Sequence, residues 1–377
     1  MIVAHVKSPF LPITETFIYN YIISLKKYKP IIISEYQQNR EQFPVENIIV
    51  QRKENLFYEP CLVTLRNWLS GKIQKEFFFH NFYSNSLKTA NPDIVHIHFG
   101  FPGILYSTIV KKLKLPLLVS FYGYDLSSLP YTLGEDIYIR NKLFNRGQIF
   151  TAEGKYAVEN LVKLGCPREK VRLLRIGINI NDYKYIPRDY SSSKPIKLLF
   201  CGRFVPKKGL LMFIEAIAMA IDTGVPIIGN IIGFGPQEKI AKDLVKNLGI
   251  QKYINFLGMK NHKEFIEECY NNHIFVAPSQ KDINNGETEG GAPTVILEAQ
   301  ATGMPVIGSN HADIPNIIDQ ESGIIFQEGD IDSFYNAIVE ISNKHKFWGY
   351  MGEHGRKFVN KFHDIEIVAA KLELLYD

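Results

Sequence analysis

The sequence of 377 residues is long enough for two domains of ordinary size, and its 46% hydrophobic and 22% charged residues are a globular composition. No run of about 18 uncharged apolar residues occurs, which disfavours a spanning helix, and the start MIVAHVKSPF indicates a buried strand rather than a signal peptide. Four cysteines stand far apart without a CxxC pair, which indicates neither a disulfide framework nor a zinc site. We therefore expect a cytoplasmic protein.

The net charge of +4 conceals an uneven distribution. Residues 1–180 carry 23 lysines and arginines against 14 acidic residues, whereas residues 181–377 carry 20 against 25. A basic first half either faces an anionic partner, such as a phosphorylated carrier or a lipid surface, or is an ordinary solvated surface.

Short apolar runs alternate with helical patterns along the chain, which is typical of parallel sheets with crossover helices. Most of these runs are hydrophobic throughout, as strands covered on both faces should be. They lie at residues 2–6, 30–34, 47–51, 93–99, 116–122, 148–152 and 171–177, and again at 197–202, 226–233, 254–258, 273–278, 305–309 and 323–327.

Between the two groups of runs, residues 180–197 are polar and contain two prolines and three serines, which indicates a hinge linker. We predict an α/β protein with two Rossmann-like, doubly wound parallel-sheet domains, over residues 1–185 and 186–355. A C-terminal helix within 356–377 is expected to return to the first domain. The site should lie in the cleft, beyond the carboxyl ends of the strands.

Two cations follow the run at 197–202. Gly202 permits a tight turn, and Arg203 and Lys208 flank the start of the next helix. Cationic side chains beside exposed helix N–H groups make a good diphosphate site, although an ordinary basic surface turn fits the same residues. A second glycine turn, IIGFGPQ with Gly235, lacks the third glycine of a dinucleotide fingerprint and is a weak signal by itself.

The stretch ETEGGAPTVILEAQATGMPV (287–306) predicts a helix over residues 293–302, with Pro293 at the first helical position. Its free amides point into the loop 289–292, whose glycines and alanine let a ligand approach the backbone closely. Because helical side chains tilt toward the N-terminus, Glu298 should lean over that ligand and hydrogen-bond hydroxyls such as those of a ribose. The alternative is a solvated surface glutamate.

In this order, these motifs resemble those of the retaining glycosyltransferases of family 4, of the exopolysaccharide or colanic-acid type, which have the GT-B fold. Further segments similar to the family's motifs are FLPITETFIYNYI (10–22), DIVHIHFG (93–100), SFYGYDLS (120–127), LGCPREKVRLLRIGIN (164–179), APS (277–279) and HADIP (311–315). The resemblance covers nearly the whole chain.

The resemblance implies a UDP- or GDP-linked sugar donor, bound without a metal ion or other cofactor. Arg203 and Lys208 would hold the diphosphate and stabilise the charge that grows on it. Glu298 would hold the ribose, and Glu289 would contact the donor sugar near the reacting carbon. Further donor contacts are implied at Gly202, Gly235, Gly291, Ala292, Thr294 and Val295. The reaction would retain configuration by front-face attack, with the leaving phosphate accepting the acceptor's proton.

Two departures from the family pattern affect the site. The family's two glutamates usually enclose seven residues, whereas Glu289 and Glu298 enclose eight, so Glu287 is a lesser candidate for the first glutamate. Tyr122 stands where many members have a histidine, and tyrosine is a poor base near neutral pH. We expect His98 to be the catalytic histidine; a hydrogen-bonded structural histidine is the alternative. Thr16, Tyr122 and Asp125 are expected on the acceptor side.

We thus expect transfer of a hexosyl unit to a glycan or lipid-linked acceptor, and no binding of nucleic acid. The apolar stripe of residues 15–27 fits a core helix better than a membrane-bound one. Residues 59–88, rich in aromatics and lysines, either pack on the first domain, which we prefer, or lie on the inner face of a membrane near the acceptor.

Two other functions stay open: a nucleotide-sugar 2-epimerase of GT-B fold, which would use the same donor pocket, and a non-catalytic sugar-nucleotide-binding partner in polysaccharide assembly. A Rossmann dehydrogenase is disfavoured, because GFGP stands without an acidic residue placed for a ribose in a βαβ unit.

Overall fold

The computed structural model describes residues 1–12, 15–51, 73–190, 195–289, 291 and 293–377, with side chains for all of these except 73–79. Within these ranges the strands form two parallel sheets. The first has seven strands in the order β3-β2-β1-β4-β5-β6-β7, and the second has six in the order β10-β9-β8-β11-β12-β13. The α/β prediction of two doubly wound parallel sheets is confirmed.

The strands are β1 Ile2–Val6, β2 Lys29–Ser34, β3 Ile48–Val50, β4 Ile94–His98, β5 Leu117–Phe121, β6 Ile149–Ala152, β7 Val171–Leu173, β8 Ile196–Cys201, β9 Ile227–Ile232, β10 Ile254–Gly258, β11 Ile274–Ala277, β12 Val306–Ser309 and β13 Gly323–Phe326. The described α-helices are α1 Thr16–Ile23, α2 Ile73–Ala90, α3 Gly100–Lys112, α4 Gly123–Leu126, α5 Ser128–Leu133, α6 Ile137–Arg140, α7 Lys155–Lys163, α8 Leu210–Asp222, α9 Glu238–Asn247, α10 His262–Asn271, α11 Thr294–Ala301, α12 Ile331–Asn343, α13 Trp348–Phe362 and α14 Ile365–Tyr376.

Every predicted apolar run contains a strand, because both faces of each sheet are covered by helices and most strand residues are buried. The run at 171–177 is the main difference, since β7 ends at Leu173. Just beyond this run, the chain has left the sheet edge and meets the connection between α13 and α14. There the N–H of Ile178 donates to His363 O at 2.8 Å, and Ile365 N donates back to Ile178 O at 3.0 Å.

Helix α11 begins one residue later than predicted. Pro293 has φ −61° and ψ 122°, so it is the extended residue before the helix rather than its first residue. A proline ring fixes φ but not ψ, and the same residue therefore suits either position.

Helix α14 packs on the first sheet although it follows the second domain in sequence. The hydroxyl of Tyr376 lies 2.7 Å from His96 Nδ1. The Glu373 carboxylate accepts hydrogen bonds from three consecutive backbone amides after α1, at 2.5 to 3.3 Å. The domain boundaries at residues 185 and 355 stay predictions.

Helix α1 buries Ile18, Tyr21 and Ile22, which favours the core interpretation of its apolar stripe. Of the predicted segment 59–88, residues 59–72 lie outside the described residues, and residues 73–88 belong to α2. Among the helices that the structure describes, none is both long enough and apolar enough to cross a bilayer.

Candidate functional site

The second-domain wall of the cleft begins where β8 ends. A short 3-10 turn over Pro206–Lys208 is followed by Gly209, whose φ of +69° turns the chain into α8. A Cβ on Gly209 would lie 1.9 Å from Pro278 O, so no other residue fits without moving the backbone. This turn directs the Lys208 side chain toward the loop before α11, where Lys208 Nζ lies 2.7 Å from Glu289 Oε1.

Glu289 is held on several sides. Its side chain is only 7% exposed, and Ser279 Oγ donates to Oε1 at 2.6 Å. Burial raises the pKa of this carboxyl, but the charges of Lys208 and Lys207 and the hydrogen bonds from Lys208 and Ser279 more than offset burial and lower the pKa to about 2. Glu289 is therefore an anion throughout the neutral range.

The backbone of Glu289 is fixed by a histidine that sequence analysis did not identify as a functional residue. Glu289 N donates to His311 Nε2 at 3.1 Å, and His311 Nδ1 lies 3.0 Å from Glu328 Oε2. Since Nε2 must accept from an N–H, the proton of neutral His311 is on Nδ1 and points to Glu328.

The neighbouring glutamate, Glu287, has its own cation. Lys207 Nζ lies 2.6 Å from Glu287 Oε1 and donates to Thr288 O at 3.2 Å. Arg203 is mostly exposed, and its guanidinium lies 3.9 Å from the same Glu287 oxygen. Of the two candidates for the first glutamate, Glu289 is thus the more deeply buried and pairs with Lys208.

Glu298 lies in α11 and is 8% exposed, which excludes the alternative of a solvated surface residue. Its Oε1 accepts from the Tyr183 hydroxyl at 3.0 Å and lies 3.0 Å from His262 Nε2. The hydrogen bond to Glu298 is the largest cause of a raised pKa at His262, opposed by partial burial.

The predicted glycines Gly202 and Gly235 pack against the segment that carries Arg203 and Lys208. Gly235 has φ +153°, and a Cβ there would lie 2.8 Å from Phe204 N, while a Cβ on Gly202 would lie 3.4 Å from Lys208 Cδ. Thr294 and Val295 form the half-buried first turn of α11. The predicted contact at Ala292 lies outside the described residues.

On the first-domain wall, His98 ends β4 and is fully buried. Its Nδ1 lies 2.9 Å from the Tyr122 hydroxyl and its Nε2 lies 3.0 Å from His5 Nδ1. Burial, together with nearby His96, His5 and Lys7, holds the pKa of His98 well below its ordinary value. The structure places His98 as a neutral, hydrogen-bonded histidine beneath Tyr122, and a catalytic role for it stays a prediction.

His5, His96 and His98 bring their ligand-type nitrogens within 4.8 Å of one another, a spacing that by itself would suit a metal ion. However, the two nitrogens of His96 each lie 2.7 Å from a hydroxyl, that of Tyr376 and that of Ser120. Because His5 and His98 also bond to each other, these side chains form a hydrogen-bond network rather than three converging ligands.

The predicted acceptor-side residues differ in exposure. Asp125 is fully buried, and its Oδ2 accepts from Tyr122 N at 3.3 Å. Burial raises the pKa of Asp125 to about 7 against the opposing effect of backbone amides, including that of Gly100 at the start of α3. Tyr122 is 5% exposed, and Thr16 is the half-buried first residue of α1.

The two walls meet at the start of α7. Asp313 of the second domain accepts hydrogen bonds from Tyr156 N at 2.9 Å and Ala157 N at 3.1 Å. Glu153, just before this helix, lies against Gly291, where a Cβ would be 1.8 Å from Glu153 Oε2. Sequence analysis missed Glu153, although its position directly after a strand was a usable signal.

Two glycosyltransferase profiles match the chain one after the other. The profile described as "Glycosyltransferase Family 4" matches residues 39–182, and the one described as "Glycosyl transferases group 1" matches residues 184–358. The chain therefore contains a family 4 glycosyltransferase domain followed by a glycosyl transferases group 1 domain. A solved structure of Anabaena Alr3699/HepE in complex with UDP superposes with a TM-score of 0.76 at 14% identity, covering 99% of this chain and 98% of that one. The fold of this chain is therefore GT-B.

Two curated relatives carry specific names. The amylovoran biosynthesis glycosyltransferase AmsK of Erwinia amylovora is 29% identical over 253 residues, which is 66% of this chain and 61% of AmsK. A UDP-Gal:alpha-D-GlcNAc-diphosphoundecaprenol alpha-1,3-galactosyltransferase of Escherichia coli is 27% identical over 319 residues, 77% of each chain. The match to AmsK thus leaves about two fifths of that relative uncovered.

Proposed function

We propose that this chain transfers a hexosyl unit, with retention of configuration, from a UDP- or GDP-linked sugar to a glycan or lipid-linked acceptor. The observation that carries the proposal is the pairing of Lys208 with a buried, anionic Glu289 at the loop before α11. A cation for the leaving diphosphate thus lies beside an anion for the sugar. The relatives named for amylovoran and for a diphosphoundecaprenol-linked acceptor support the acceptor class.

In this proposal the diphosphate lies between Arg203, Lys208 and the free amides at the start of α11. The positive side chains and the helix terminus stabilise the negative charge that develops as the glycosidic bond breaks. These groups do the neutralising that a divalent ion would otherwise do, so we propose a reaction that needs no metal.

Glu289 has the complementary task. Because its pKa lies near 2, it remains a carboxylate and cannot act as a general acid at neutral pH. A fixed negative charge suits a group that faces the positive charge developing at the anomeric carbon of the donor. The acceptor's proton then passes to the leaving phosphate, which requires no protein base.

Glu298 is suited to the ribose of the donor. The described hydrogen bonds from Tyr183 and His262 both go to Oε1. These bonds orient the carboxylate, and Oε2 receives no bond from the residues that the structure describes. A carboxylate held in this way can accept from ribose hydroxyls through its second oxygen.

The first test is a thermal-shift panel of UDP-, GDP-, ADP- and dTDP-sugars on the purified chain. A donor at 100 times its dissociation constant should stabilise the fold by about 2.7 kcal/mol, which identifies the nucleotide. The selected donor is then incubated with glycan and lipid-linked acceptors, with and without EDTA. The anomeric configuration of the product is read from proton NMR coupling constants. Transfer with inversion, or transfer abolished by EDTA, contradicts the corresponding part of the proposal.

Variants test the individual roles. Arg203→Ala and Lys208→Ala should each lower kcat by about 100-fold or more, the typical effect of removing one group that stabilises a developing charge. Glu298→Gln should raise the donor KM. Lys242→Ala is the matched control, because Lys242 is an exposed cation of α9 paired with Glu238. Wild-type turnover in all three site variants would refute these assignments, and epimerised donor formed without acceptor would indicate the epimerase instead.

A further inference from the structure

Glu153 is a buried carboxyl that the proposed reaction does not yet use. It stands between the end of β6 and the start of α7 and is 7% exposed. Among the residues that the structure describes, none donates a hydrogen bond to its carboxyl or forms an ion pair with it. Burying a carboxyl without a partner is unfavourable, so such a group in a cleft indicates a ligand that supplies the missing partner.

The carboxyl points at Gly291 in the loop before α11, which we call the donor loop. A Cβ on Gly291 would lie 1.8 Å from Glu153 Oε2 and 2.9 Å from its Cδ, so this oxygen lies directly against the glycine backbone. Gly291 is two residues from Glu289, the anion proposed to face the donor sugar. Glu153 therefore lies on the first-domain side of the proposed position of the donor sugar, where the sugar would pass from the diphosphate to the acceptor.

The electrostatic surroundings restrict what Glu153 can bind. Burial first, and then the nearby carboxyls of Asp313 and Asp125, raise the pKa of Glu153 well above its ordinary value. These effects favour the protonated form, which donates one hydrogen bond and accepts others. The nearby carboxyls of Asp313 and Asp125 also disfavour a phosphate or carboxylate as the ligand, whereas a sugar hydroxyl is neutral and can both donate and accept.

We propose that Glu153 is a positioning residue that hydrogen-bonds a hydroxyl of the acceptor sugar and holds it against the donor loop at Gly291. The donor groups proposed above all belong to the second domain, so a first-domain group opposite them faces the second substrate. The acceptor portion bound here is an uncharged, hydroxyl-bearing sugar, and any diphosphate of a lipid-linked acceptor lies elsewhere. This inference rests on the proposed glycosyl transfer.

The test compares Glu153→Ala and Glu153→Gln with the wild-type chain, measuring kcat and KM for acceptor and donor separately, and donor hydrolysis without acceptor. Loss of one hydrogen bond between neutral groups should raise the acceptor KM about tenfold in Glu153→Ala. The donor KM and the hydrolysis rate should stay within about twofold. Glu153→Gln should remain within about threefold of wild type, because an amide also donates and accepts.

Glu159→Gln is the matched control, since Glu159 is an exposed glutamate of α7 whose contact is with Arg168. The melting temperature of Glu153→Ala should equal or exceed that of wild type, because the carboxyl has no partner to lose within the described part of the chain. A lower melting temperature would assign Glu153 a structural role and overturn the proposal.

The remaining outcomes separate the two proposals. Wild-type transfer with an unchanged acceptor KM in Glu153→Ala, or with a parallel rise in the donor KM, overturns the role of Glu153 alone. Glu153→Gln as impaired as Glu153→Ala also overturns it, because that result requires an ionised carboxylate. A wild-type chain that binds donor but transfers to no acceptor overturns the proposed function, and this inference with it.

Discussion

Replacing Lys208 by methionine should destabilise the second domain through Glu289. The substitution removes the ammonium 2.7 Å from Glu289 Oε1 and keeps an aliphatic side chain. Burial raises the pKa of Glu289, yet its surroundings, with Lys208 the largest opposing cause, lower it from 4.5 to about 2. That net difference, to which Lys207 and Ser279 also contribute, corresponds to about 3 kcal/mol at neutral pH. Removing one partner of a buried ion pair, which is what this substitution does, typically costs roughly 3–5 kcal/mol. We therefore expect Lys208→Met to lower the free energy of unfolding at pH 7 by about 3 kcal/mol.

The sign of the pH dependence follows from the lowered pKa. The contribution of Glu289 is complete above its unfolded-state pKa of 4.5 and is lost as pH falls toward its folded-state value of about 2. In Lys208→Met the buried carboxyl accepts a proton more readily. The difference between variant and wild type should therefore be largest at neutral pH and shrink as pH falls below 4.5.

Urea unfolding followed by tryptophan fluorescence measures this, because Trp348 is fully buried in the second-domain core. Lys242→Met, which removes an exposed cation on α9, should change the free energy of unfolding by about 0.5 kcal/mol or less. Adding Glu289→Gln to Lys208→Met should recover most of the loss. A loss below about 1 kcal/mol at pH 7, or an equal loss in the Glu289→Gln background, would refute the reasoning.

Three further predictions concern single contacts. Gly291→Ala should destabilise the protein by about 1–3 kcal/mol in urea unfolding, because the new Cβ would collide with Glu153 Oε2. Adding Glu153→Ala should restore most of the lost stability, and no restoration would contradict the contact. An NMR titration should give His262 a pKa above 6.5, moved back toward 6.5 by Glu298→Gln, whereas an unmoved value would refute the hydrogen bond as its cause. Glu373→Ala should cost about 1–3 kcal/mol in the same unfolding assay, because three backbone amides lose their acceptor; an unchanged stability would contradict this.

The sequence was most informative where burial is uniform. Strands covered on both faces are continuous apolar runs, and each predicted run contains a strand of one of the two sheets. Boundaries were less predictable. Strand β7 ends at Leu173, and further along the chain Ile178 exchanges backbone hydrogen bonds with the α13–α14 connection, a contact that no local pattern indicates.

Site residues could be predicted as candidates but not as pairs. Lys207 and Lys208 are neighbours in sequence, and only the turn at Gly209 decides that one meets Glu287 and the other Glu289. His98 was an equally reasonable candidate by its position at a strand end, yet it is fully buried beneath Tyr122. Local pattern specifies residue type and element, whereas burial and partner depend on segments that meet only after folding.

The ion pairs of the second-domain wall also determine which contacts the donor diphosphate must replace when it binds. Lys208 contacts Glu289, and Arg203 stands at 3.9 Å from a Glu287 oxygen that Lys207 already approaches to 2.6 Å. Arg203 is therefore the more easily released cation, since Lys207 keeps Glu287 neutralised without it. Lys208 is more costly to release, because Glu289 would lose its nearest cation while buried. We therefore expect the diphosphate to bind Lys208 without displacing Glu289, so that the ammonium contacts both the phosphate and the carboxylate. As the glycosidic bond breaks, the sugar's positive charge then develops beside Glu289 while the phosphate beside Lys208 becomes more negative.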